Sequence, residues 1–318
     1  MPGCHPERIR TAIEVGAAGH STLIASWARC LQKYGLDPAV APPRRQVGDS
    51  ELRVSTERIK PLLNVAQPVL SRLENAFDGQ RACILIAGAD GISVMRRAPP
   101  EDERSLNMLG LSVGFDWSEH REGTNAIGTA LIDGFPLMVR SEDHFYERDT
   151  EIGCMVAPIF DHNARIAGAL DVTVYGRAAE RNCTKLGLTL VADAARQIEI
   201  NHFHDVFSEQ RIVSLRDEFR SGSSLIAVDG DDIIVGATRL ARLALDISDT
   251  EIRNGTPASD LLEGEDDDLA SAERKVLRRT LVRSSGNVSR AAQMLHISRA
   301  TMKRKLNEHG VRRPGKRV

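Results

Sequence analysis

Apolar residues recur along this chain at two spacings, and the change of spacing divides the sequence into regions. Between residues 8 and 77 they return every three or four positions, the period of an amphipathic helix. The pattern predicts one helix over about residues 8–34 and two more over 51–59 and 61–77. Pro61 would lie in the first turn of the last helix, where proline is tolerated. We therefore expect residues 1–78 to form a helical region.

Short apolar runs bounded by turn residues replace this spacing after residue 80, and they indicate strands. Residues 82–87 and 92–95 flank a tight turn at Asp90-Gly91, and 154–160 and 166–175 form a second predicted hairpin. A strand over 136–139 and a helix over 126–132 lie between them. A long amphipathic helix is predicted from residue 183 to about 219. The fold class is therefore α+β, with a domain over 79–205 whose antiparallel sheet is flanked by helices.

A smaller apolar region follows over residues 220–262. Residues 224–228 and 233–236 predict a hairpin, and a helix over 237–245 comes next. An acidic linker over 263–270 contains the run Glu263-Gly264-Glu265-Asp266-Asp267-Asp268. The remaining segment, 271–318, is predicted to be all-α.

The pattern over residues 286–306 predicts a helix-turn-helix. Gly286 and Asn287 begin a short helix with a small apolar face at Ala291, Ala292 and Leu295. A turn follows in which Ile297 points inward and Ser298 caps the second helix. The second helix has Met302 and Leu306 on its inner face and cationic residues on its outer face. Small residues between two helices and cations on the second are typical of docking in the major groove of DNA.

Charge supports this interpretation over that of a merely charged surface hairpin. Residues 273–318 contain 14 Lys or Arg and two acids, a net charge of +12, whereas the whole chain has −2. A basic tail on an acidic body is typical of a nucleic-acid-binding module joined to another domain. We expect Arg299, Ala300, Thr301 and Arg304 to face bases or adjacent phosphates, and Arg290, Lys303 and Lys305 to contact phosphates with Arg312, Arg313, Lys316 and Arg317. The predicted DNA-binding residues are Ser289, Arg290, Ser298, Arg299, Ala300, Thr301, Lys303, Arg304 and Lys305.

This segment closely resembles the DNA-binding domain of the Fis family. That family usually has Leu-Tyr where this chain has Met302-Lys303. The resemblance implies binding to double-stranded DNA as a homodimer. A symmetric pair of second helices would read half-sites about 34 Å apart on an approximately palindromic operator.

Two stretches of the α+β region are candidates for ligand recognition. Residues 117–131 form a polar loop that leads into a helix, where Thr124 and Asn125 either cap the helix or contact a ligand. Residues 154–161 and 168–173 would be adjacent strands below it. Trp117 either lines a pocket or packs under the loop, and Asp171 either lines the pocket or ties down a loop. Cys154 is either a small buried residue or one that senses oxidation or binds a metal.

These stretches resemble the GAF domain of the acetoin-catabolism regulator family. The resemblance extends to residues 26–30 and 35–38 before this domain, to 194–199 in its exit helix, and to a PAS-like remnant around Asp229. It implies a bacterial transcription regulator whose GAF domain senses a small molecule or mediates dimerisation. The identity of that molecule stays open.

The chain departs from this family in one respect. Family members usually contain a central AAA+ ATPase domain, but the sequence contains no G-x-x-x-x-G-K-[ST] phosphate loop. About 40 residues between the PAS-like remnant and the DNA-binding segment are too few for such a domain. We therefore expect regulation without ATP hydrolysis, through occupying DNA and recruiting or blocking RNA polymerase.

Other functional classes find less support in the sequence. No pair of nucleophile and base stands out, so we expect no catalytic residues, no enzyme activity, no metal site and no cofactor. The five scattered cysteines contain no C-x-x-C, and no run of 18 apolar residues occurs. We expect a cytoplasmic protein that does not bind membranes. Two alternatives remain: an architectural DNA-binding protein with a ligand-free GAF scaffold, and a redox sensor based on Cys83, Cys154 or Cys183.

Overall fold

The computed structural model describes residues 4–15, 21–176, 179–215, 223–262, 269–284 and 286–311. The chain divides into two compact units. The first contains Met1–Asp161 and Arg165–His202, and the second contains His162–Ala164 and Phe203–Val318. In the described part, no helix has both the length and the apolar character needed to cross a membrane.

The first unit contains a five-stranded antiparallel sheet, as predicted. The strands are β1 (Ala82–Gly88), β2 (Ser93–Arg97), β3 (Leu137–Arg140), β4 (Ile152–Phe160) and β5 (Ile166–Tyr175). Their order is β2-β1-β5-β4-β3, so the long strand β5 lies at the centre. Because successive side chains alternate between faces, Leu170 and Val172 point to one side of the sheet while Asp171 and Thr173 point to the other.

Helices cover both faces of this sheet and complete an α+β domain. They are α1 (His5–Glu14), α2 (Thr22–Ala28), α3 (Asp49–Ala76), α4 (Glu103–Met108), α5 (Glu119–Glu122), α6 (Ala126–Asp133), α7 (Ala179–Asn182) and α8 (Lys185–Val206). Apolar residues of α3 and α8 fill the core on one face. The core on the opposite face contains Trp117 and residues of α4 and α6, such as Leu106 and Ile127.

The helical region differs from the prediction in two places. The single helix expected over 8–34 is two helices, α1 and α2, and α2 continues as one π-helical stretch, Arg29–Lys33. The two helices expected over 51–59 and 61–77 are one helix, α3, with Pro61 and Pro68 inside it. Both prolines are exposed, so water can satisfy the carbonyl groups that lose their intrahelical donors. Burial of Ile59, Leu62 and the apolar residues that follow holds the helix together across them.

The prediction of an exit helix reaching residue 219 is wrong. α8 ends at Val206, and the chain turns into a strand, β6 (Arg211–Ser214). The β-branched pair Ile212 and Val213 favours this extended conformation. The strand joins β7 (Leu225–Val228) and β8 (Ile234–Ala237), so the predicted hairpin is part of a three-stranded antiparallel sheet.

Three short helices follow this second sheet and close a small core. They are α9 (Arg239–Leu245), α10 (Asp249–Asn254) and α11 (Ser259–Leu262). Ile226, Ile234, Ala241 and Ile252 meet in that core. The acidic run 263–268 lies outside the described residues.

Three helices form the carboxy-terminal part: α12 (Leu269–Arg283), α13 (Val288–Met294) and α14 (Arg299–Glu308). The last two are the predicted helix-turn-helix. The terminal cations Arg312, Arg313, Lys316 and Arg317 lie outside the described residues.

Candidate DNA-binding surface and ligand cavity

A small apolar core fixes α13 against α14 and α12. Ala291, Ala292 and Met302 are buried where α13 meets α14, as the sequence pattern predicted. Leu277 of α12 and Leu306 of α14 are buried in the same core. The small alanine side chains let the helix backbones approach closely, which sets the position of the outer face of α14.

Side-chain caps begin both helices of the motif. Asn287 Oδ1 accepts hydrogen bonds from the backbone N–H groups of Ser289 at 3.0 Å and Arg290 at 3.1 Å. Ser298 Oγ accepts from the N–H of Thr301 at 3.0 Å and bonds to Thr301 Oγ1 at 2.8 Å. These bonds satisfy donors that the first helical turn leaves free, and they confirm the predicted cap at Ser298.

The turn between the two helices has a specific hydrogen-bond pattern. His296 N–H donates to the carbonyl of Gln293 at 3.1 Å, and Ile297 N–H donates to that of Ala292 at 3.0 Å. This pair of bonds is a Schellman motif, in which the residue after the helix cap adopts a left-handed conformation. His296 does so with φ of 53°. The partly buried Ile297 then packs against the core of the motif.

The outer face of α14 is exposed and cationic. Arg299, Ala300, Lys303 and Arg304 are exposed side by side, and Arg290 is exposed on α13. Thr301 and Ser289 are half-buried. Arg304 forms an exposed ion pair with Glu308 at 3.1 Å, a contact that surface solvation makes weak. The arrangement presents positive charge at one end of a short helix pair, as phosphate binding requires.

Lys305 has different surroundings from the other predicted DNA-binding residues. Its Nζ atom forms an ion pair with Glu273 of α12, and His309 Nε2 lies 2.9 Å from the same carboxylate. These hydrogen bonds lower the pKa of Glu273. Lys305 therefore joins α14 to α12 in this structure.

A cavity lies in the first unit between the sheet and the beginning of α6. Four of the five residues predicted to bind a ligand line it: Trp117, Asn125, Cys154 and Asp171. The space open to the centre of a water molecule is about 10 Å³, which is room for about one water. The full lining comprises Leu85, Leu111, Trp117, Asn125, Ala126, Ile127, His144, Ile152, Cys154, Asp171 and Thr173.

A row of polar side chains crosses the sheet floor of this cavity. Thr173 Oγ1 donates to Asp171 Oδ2 at 2.6 Å and lies 3.2 Å from Cys154 Sγ. His144 Nε2 lies 3.8 Å from the same sulfur. The other oxygen of Asp171, Oδ1, is buried without a hydrogen-bond partner among the described residues. Asp171 thus has one satisfied and one unsatisfied carboxyl oxygen.

Burial sets the ionisation of these groups. It raises the pKa of Asp171 to about 7, although the hydrogen bond from Thr173 acts in the opposite direction. Burial also raises the pKa of the Cys154 thiol well above its usual range and lowers the pKa of His144. At neutral pH the cavity therefore contains a thiol, a neutral imidazole and a carboxyl group near its midpoint.

Asn125 and Thr124 both have structural partners. Asn125 Oδ1 caps α6 by accepting from Gly128 N–H at 2.8 Å, and its amide nitrogen donates to the Gly123 carbonyl at 2.9 Å. Gly123 has a φ of 65°, and a Cβ there would collide with Phe145, so glycine is required at this turn. Thr124 does not line the cavity, and its Oγ1 bonds instead to Ser26 Oγ at 2.7 Å.

The Thr124 contact belongs to a buried polar network that joins α2 to α5 and α6. Arg29 donates two hydrogen bonds, of 2.8 and 2.9 Å, to the Glu119 carboxylate. Ser26 donates to the same carboxylate, and Thr129 Oγ1 does so at 3.2 Å. The Glu119 side chain is fully buried. This network holds the loop that precedes the cavity.

Two more arginines of the amino-terminal region pair with buried acids. Arg44 Nη1 lies 3.3 Å from Glu122 Oε2, and its Nη2 pairs with Asp149. Arg45 Nη1 lies 3.0 Å from Asp116 Oδ2. Removing one member of a buried pair leaves an uncompensated charge, so these contacts tie the region before α3 to the domain.

Some of these residues could not be predicted from the sequence. His144 reaches the cavity from an irregular loop between β3 and β4, and Leu111 reaches it from a loop before α5. No periodic pattern marks positions of this kind. Thr173 was detectable, because residues two apart on a strand share a face and Asp171 had already been singled out. Glu119 gave no signal, since its partner Arg29 lies 90 residues away.

Comparison with known families agrees with this organisation. Residues 10–200 match the family described as "MimR, N-terminal domain". Residues 268–309 match "Bacterial regulatory protein, Fis family". Because the first match covers more than half of the chain, the chain belongs to the MimR N-terminal domain family. The second match confirms the predicted Fis-type helix-turn-helix.

Known regulators are similar over most of the chain. It is 31% identical over 240 residues to the acetoin catabolism regulatory protein of Cupriavidus necator, with 74% of the chain and 36% of that protein covered. It is 28% identical over 238 residues to the propane 2-monooxygenase operon transcriptional activator MimR of Mycolicibacterium smegmatis, covering 73% and 38% respectively. The chain thus spans little more than a third of the length of these relatives.

A solved structure shares the fold. A chain of the E. coli DhaR(N)–DhaL complex superposes with a TM-score of 0.54 at 18% identity, covering 72% of this chain and 78% of that one. The likeness supports the predicted α+β, GAF-type architecture. The relatives named above are regulators of transcription, and the carboxy-terminal match is to a family of bacterial regulatory proteins.

Proposed function

From this family membership we propose that the chain is a one-component regulator that binds an operator as a dimer and responds to a small molecule. The observation that carries the proposal is the outer face of α14. Its exposed cations lie on a helix whose start is capped and whose inner face is buried. The relatives are named for acetoin catabolism and for a propane 2-monooxygenase operon, and we extend control of a catabolic operon to this chain.

In the proposed complex the amino-terminal end of α14 enters the major groove. Arg299 and Arg304 face base edges or adjacent phosphates there, and Arg290 and Lys303 contact phosphates. Their exposure supports these roles, since a cation already buried in an ion pair has less to offer a phosphate. Two copies of α14 related by a twofold axis then read half-sites about 34 Å apart.

Fluorescence anisotropy with an operator duplex at two salt concentrations tests this docking. Operator fragments are first selected from random duplexes with the purified chain. We expect Arg299→Ala combined with Arg304→Ala to weaken binding strongly and to flatten its salt dependence. Arg253→Ala on α10, which removes an exposed arginine outside the helix-turn-helix, serves as the matched control. Wild-type affinity in the double variant would refute the docking.

For the dimer we propose α8 as the contact surface. Leu186 and Leu190 are exposed one turn apart on its outer side, with 70% and 37% of their surface open to solvent. An apolar pair at this spacing fits the same surface of a second copy, because a twofold interface is self-complementary. The helix is shorter than predicted, so the contact belongs to the first unit and not to a coiled coil reaching residue 219.

For sensing we propose the cavity lined by Trp117, Asn125, Cys154 and Asp171. Support comes from their convergence on one small cavity, with apolar walls and a few polar groups, as in most ligand sites. Thr124 acts indirectly, through the network that positions the loop. A thermal-shift screen of catabolic metabolites tests the role. A ligand at 100 times its Kd raises the stability by about 2.7 kcal/mol, whereas a ligand-free scaffold shows no stabilisation by any metabolite.

We further propose that regulation proceeds without ATP hydrolysis, by recruiting or blocking RNA polymerase. The sequence contains no Walker-type phosphate loop, and the segment between α11 and α12 is short. A phosphate-release assay with the full chain, with and without operator, is expected to show no ATP turnover above the buffer rate.

The redox-sensor alternative is weaker. Burial raises the pKa of Cys83 to about 12 and that of Cys183 to about 11. Cys154 is affected in the same way. The thiolate is the reactive form, so these three cysteines have little of the species that a peroxide sensor needs.

A further inference from the structure

The cavity contains one buried acceptor that the protein leaves unsatisfied. Asp171 has only 1% of its surface exposed. Its Oδ2 atom accepts from Thr173, but Oδ1 has no hydrogen-bond partner among the described residues. A buried acceptor without a partner is costly, so a guest molecule that donates a hydrogen bond to Oδ1 is stabilised there.

Two other polar side chains of the lining direct their hydrogen bonds elsewhere. Trp117 Nε1 donates to the Gly110 carbonyl at 3.1 Å, and Asn125 is occupied by the cap of α6. Both therefore offer the cavity mainly a surface to pack against. Thr173 donates to Asp171, and His144 Nε2 lies 3.8 Å from Cys154 Sγ. Among the described lining residues, the buried side-chain oxygen left without a partner is therefore Asp171 Oδ1.

The walls exclude a negatively charged guest. Leu85, Leu111, Ile127 and Ile152 supply an apolar lining, and the described lining residues include no lysine or arginine. A carboxylate or phosphate would enter without a counter-charge and face the carboxyl group of Asp171. Burying a charge in these conditions costs far more than burying a hydroxyl group.

Size limits the guest further. The cavity as it stands holds about one water, so a larger guest has to displace part of the wall. The sheet floor is held by continuous ladders on both sides of β5, whereas Leu111 and Trp117 belong to irregular chain between α4 and α5. We expect that irregular wall, and not the floor, to move aside for a guest of a few non-hydrogen atoms.

We propose that the cavity binds a small uncharged alcohol, with its hydroxyl group donating to Asp171 Oδ1 and its carbon chain against Trp117 and Ile127. This inference rests on the proposed sensor function and specifies the ligand class. A hydroxyl group can also accept a hydrogen bond, so it suits the carboxyl group in either protonation state. Asp171 is then the residue that selects alcohols over other compounds of the same size.

The test uses four small probes at pH 8.5, where Asp171 is mostly ionised. 2-Butanol and diethyl ether are isomers, of which only the alcohol donates a hydrogen bond. Isobutyrate and 2-aminobutane supply a negative and a positive charge at similar size. Binding is followed in the full chain labelled with ¹⁵N-tryptophan, through the indole signal of Trp117. The chain has two tryptophans, so Trp27→Phe assigns the signals.

We expect 2-butanol to shift the Trp117 signal saturably and to bind about tenfold or more tighter than diethyl ether. Isobutyrate is expected to give no saturable shift, because it brings a second negative charge next to Asp171. 2-Aminobutane is expected to bind more weakly than 2-butanol, because its ammonium group loses its hydration and finds one free acceptor for three N–H donors. In Asp171→Asn, whose amide both donates and accepts, the preference for the alcohol should shrink. Asp171→Leu should abolish it. Glu147→Gln changes an exposed carboxylate outside the cavity lining and should retain the preference.

Equal binding of ether and alcohol, tighter binding of either charged probe, or no shift at Trp117 would overturn the inference. Operator affinity measured in the same samples separates this outcome from failure of the proposed function. If 2-butanol binds as expected but every alcohol in the metabolite screen leaves operator affinity unchanged, the ligand class stands and the sensor role fails. If a charged metabolite from that screen alters operator affinity while 2-butanol does not bind, the sensor role stands and the ligand class fails.

Discussion

Lys303 and Lys305 lie two residues apart on α14, yet their surroundings differ. Lys303 is exposed, whereas Lys305 pairs with Glu273. We expect Lys303→Ala to weaken operator binding several-fold and to lower the salt slope by about 1, because one phosphate contact is lost. Lys305→Ala should change DNA affinity less. Anisotropy titrations over a salt series measure both, and a larger effect of Lys305→Ala would show that its ion pair opens on DNA.

Asp171 should make the stability of the protein depend on pH. Its folded-state pKa of about 7 lies above the ordinary aspartate value of 3.8, so the unfolded chain releases this proton first. Its contribution to stability therefore falls as pH rises from about 4 to 7 and then levels off, at a cost of roughly 4 kcal/mol. Asp171→Asn removes this cost. In urea unfolding, the free energy of unfolding of the variant should therefore rise relative to that of wild type between pH 5 and pH 8.

A constant difference between Asp171→Asn and wild type across that range would show that the carboxyl group ionises normally in the folded protein. Comparing the two proteins at each pH removes the contribution of His144, which burial shifts in the opposite sense. The comparison thus isolates one carboxyl group.

Local chemistry explains which site residues the sequence predicted. Ser298 and Asn287 are caps, and a cap is readable because it needs only a few neighbouring residues. Asp171 was noticeable as an acid within an apolar strand. The lack of a hydrogen-bond partner for its Oδ1 atom could not be predicted, because that depends on side chains brought together from separate elements.

At the scale of elements, the caps make a testable contribution to α14. Ser298→Ala removes the side-chain acceptor of the Thr301 N–H group and should destabilise the carboxy-terminal helices by about 1 kcal/mol. Ser289→Ala, within the first turn of α13, serves as the matched control because the cap of that helix is Asn287. Amide hydrogen exchange of α14 measures the change, and equal protection in both variants would contradict the role of the cap.

Helix α3 shows why element boundaries were harder to predict than element types. Pro61 was predicted to lie at the start of a helix, because proline is favoured in the first turn. The helix instead runs through it from Asp49 to Ala76. Continuous burial on one side outweighs a lost hydrogen bond on the exposed side, and a local pattern does not report this balance.

The end of α8 has a similar explanation. Apolar residues between Val206 and residue 219 fit a helical stripe, so the sequence predicted one long helix. Ile212 and Val213 instead pair with Ala227 and Ile226 of β7. Strand pairing with distant residues decided the outcome, and spacing within one segment cannot report it.

For the whole molecule, dimerisation through α8 is the contact to test. We expect Leu186→Glu combined with Leu190→Glu to shift sedimentation from dimer to monomer and to weaken operator binding at low protein concentration. Leu243→Glu on α9, also an exposed leucine, provides the matched control. A dimer that persists in the double variant would place the interface elsewhere.

The order of regions along the chain was largely predictable. A helical region, an α+β domain, a small sheet and a helix-turn-helix all follow from changes in hydrophobic spacing and charge, whereas the Fis type came from the resemblance. The end of the exit helix was misplaced because β6 was missed. Charge segregation located the DNA-binding segment without any structural information, since a basic tail on an acidic body needs no contacts to be recognised.

The arginines that precede α3 affect how the sensor domain can be produced in isolation. Cutting the chain just before Asp49 would remove the arginine partners of Glu119 and Asp116 while both carboxylates stay buried. Glu122 would lose Arg44 and keep only Arg148. Two unpaired buried anions would compromise solubility and folding near neutral pH. The region before α3 thus supplies the counter-charges of buried acids in the domain that follows. Expression fragments should therefore begin before α1.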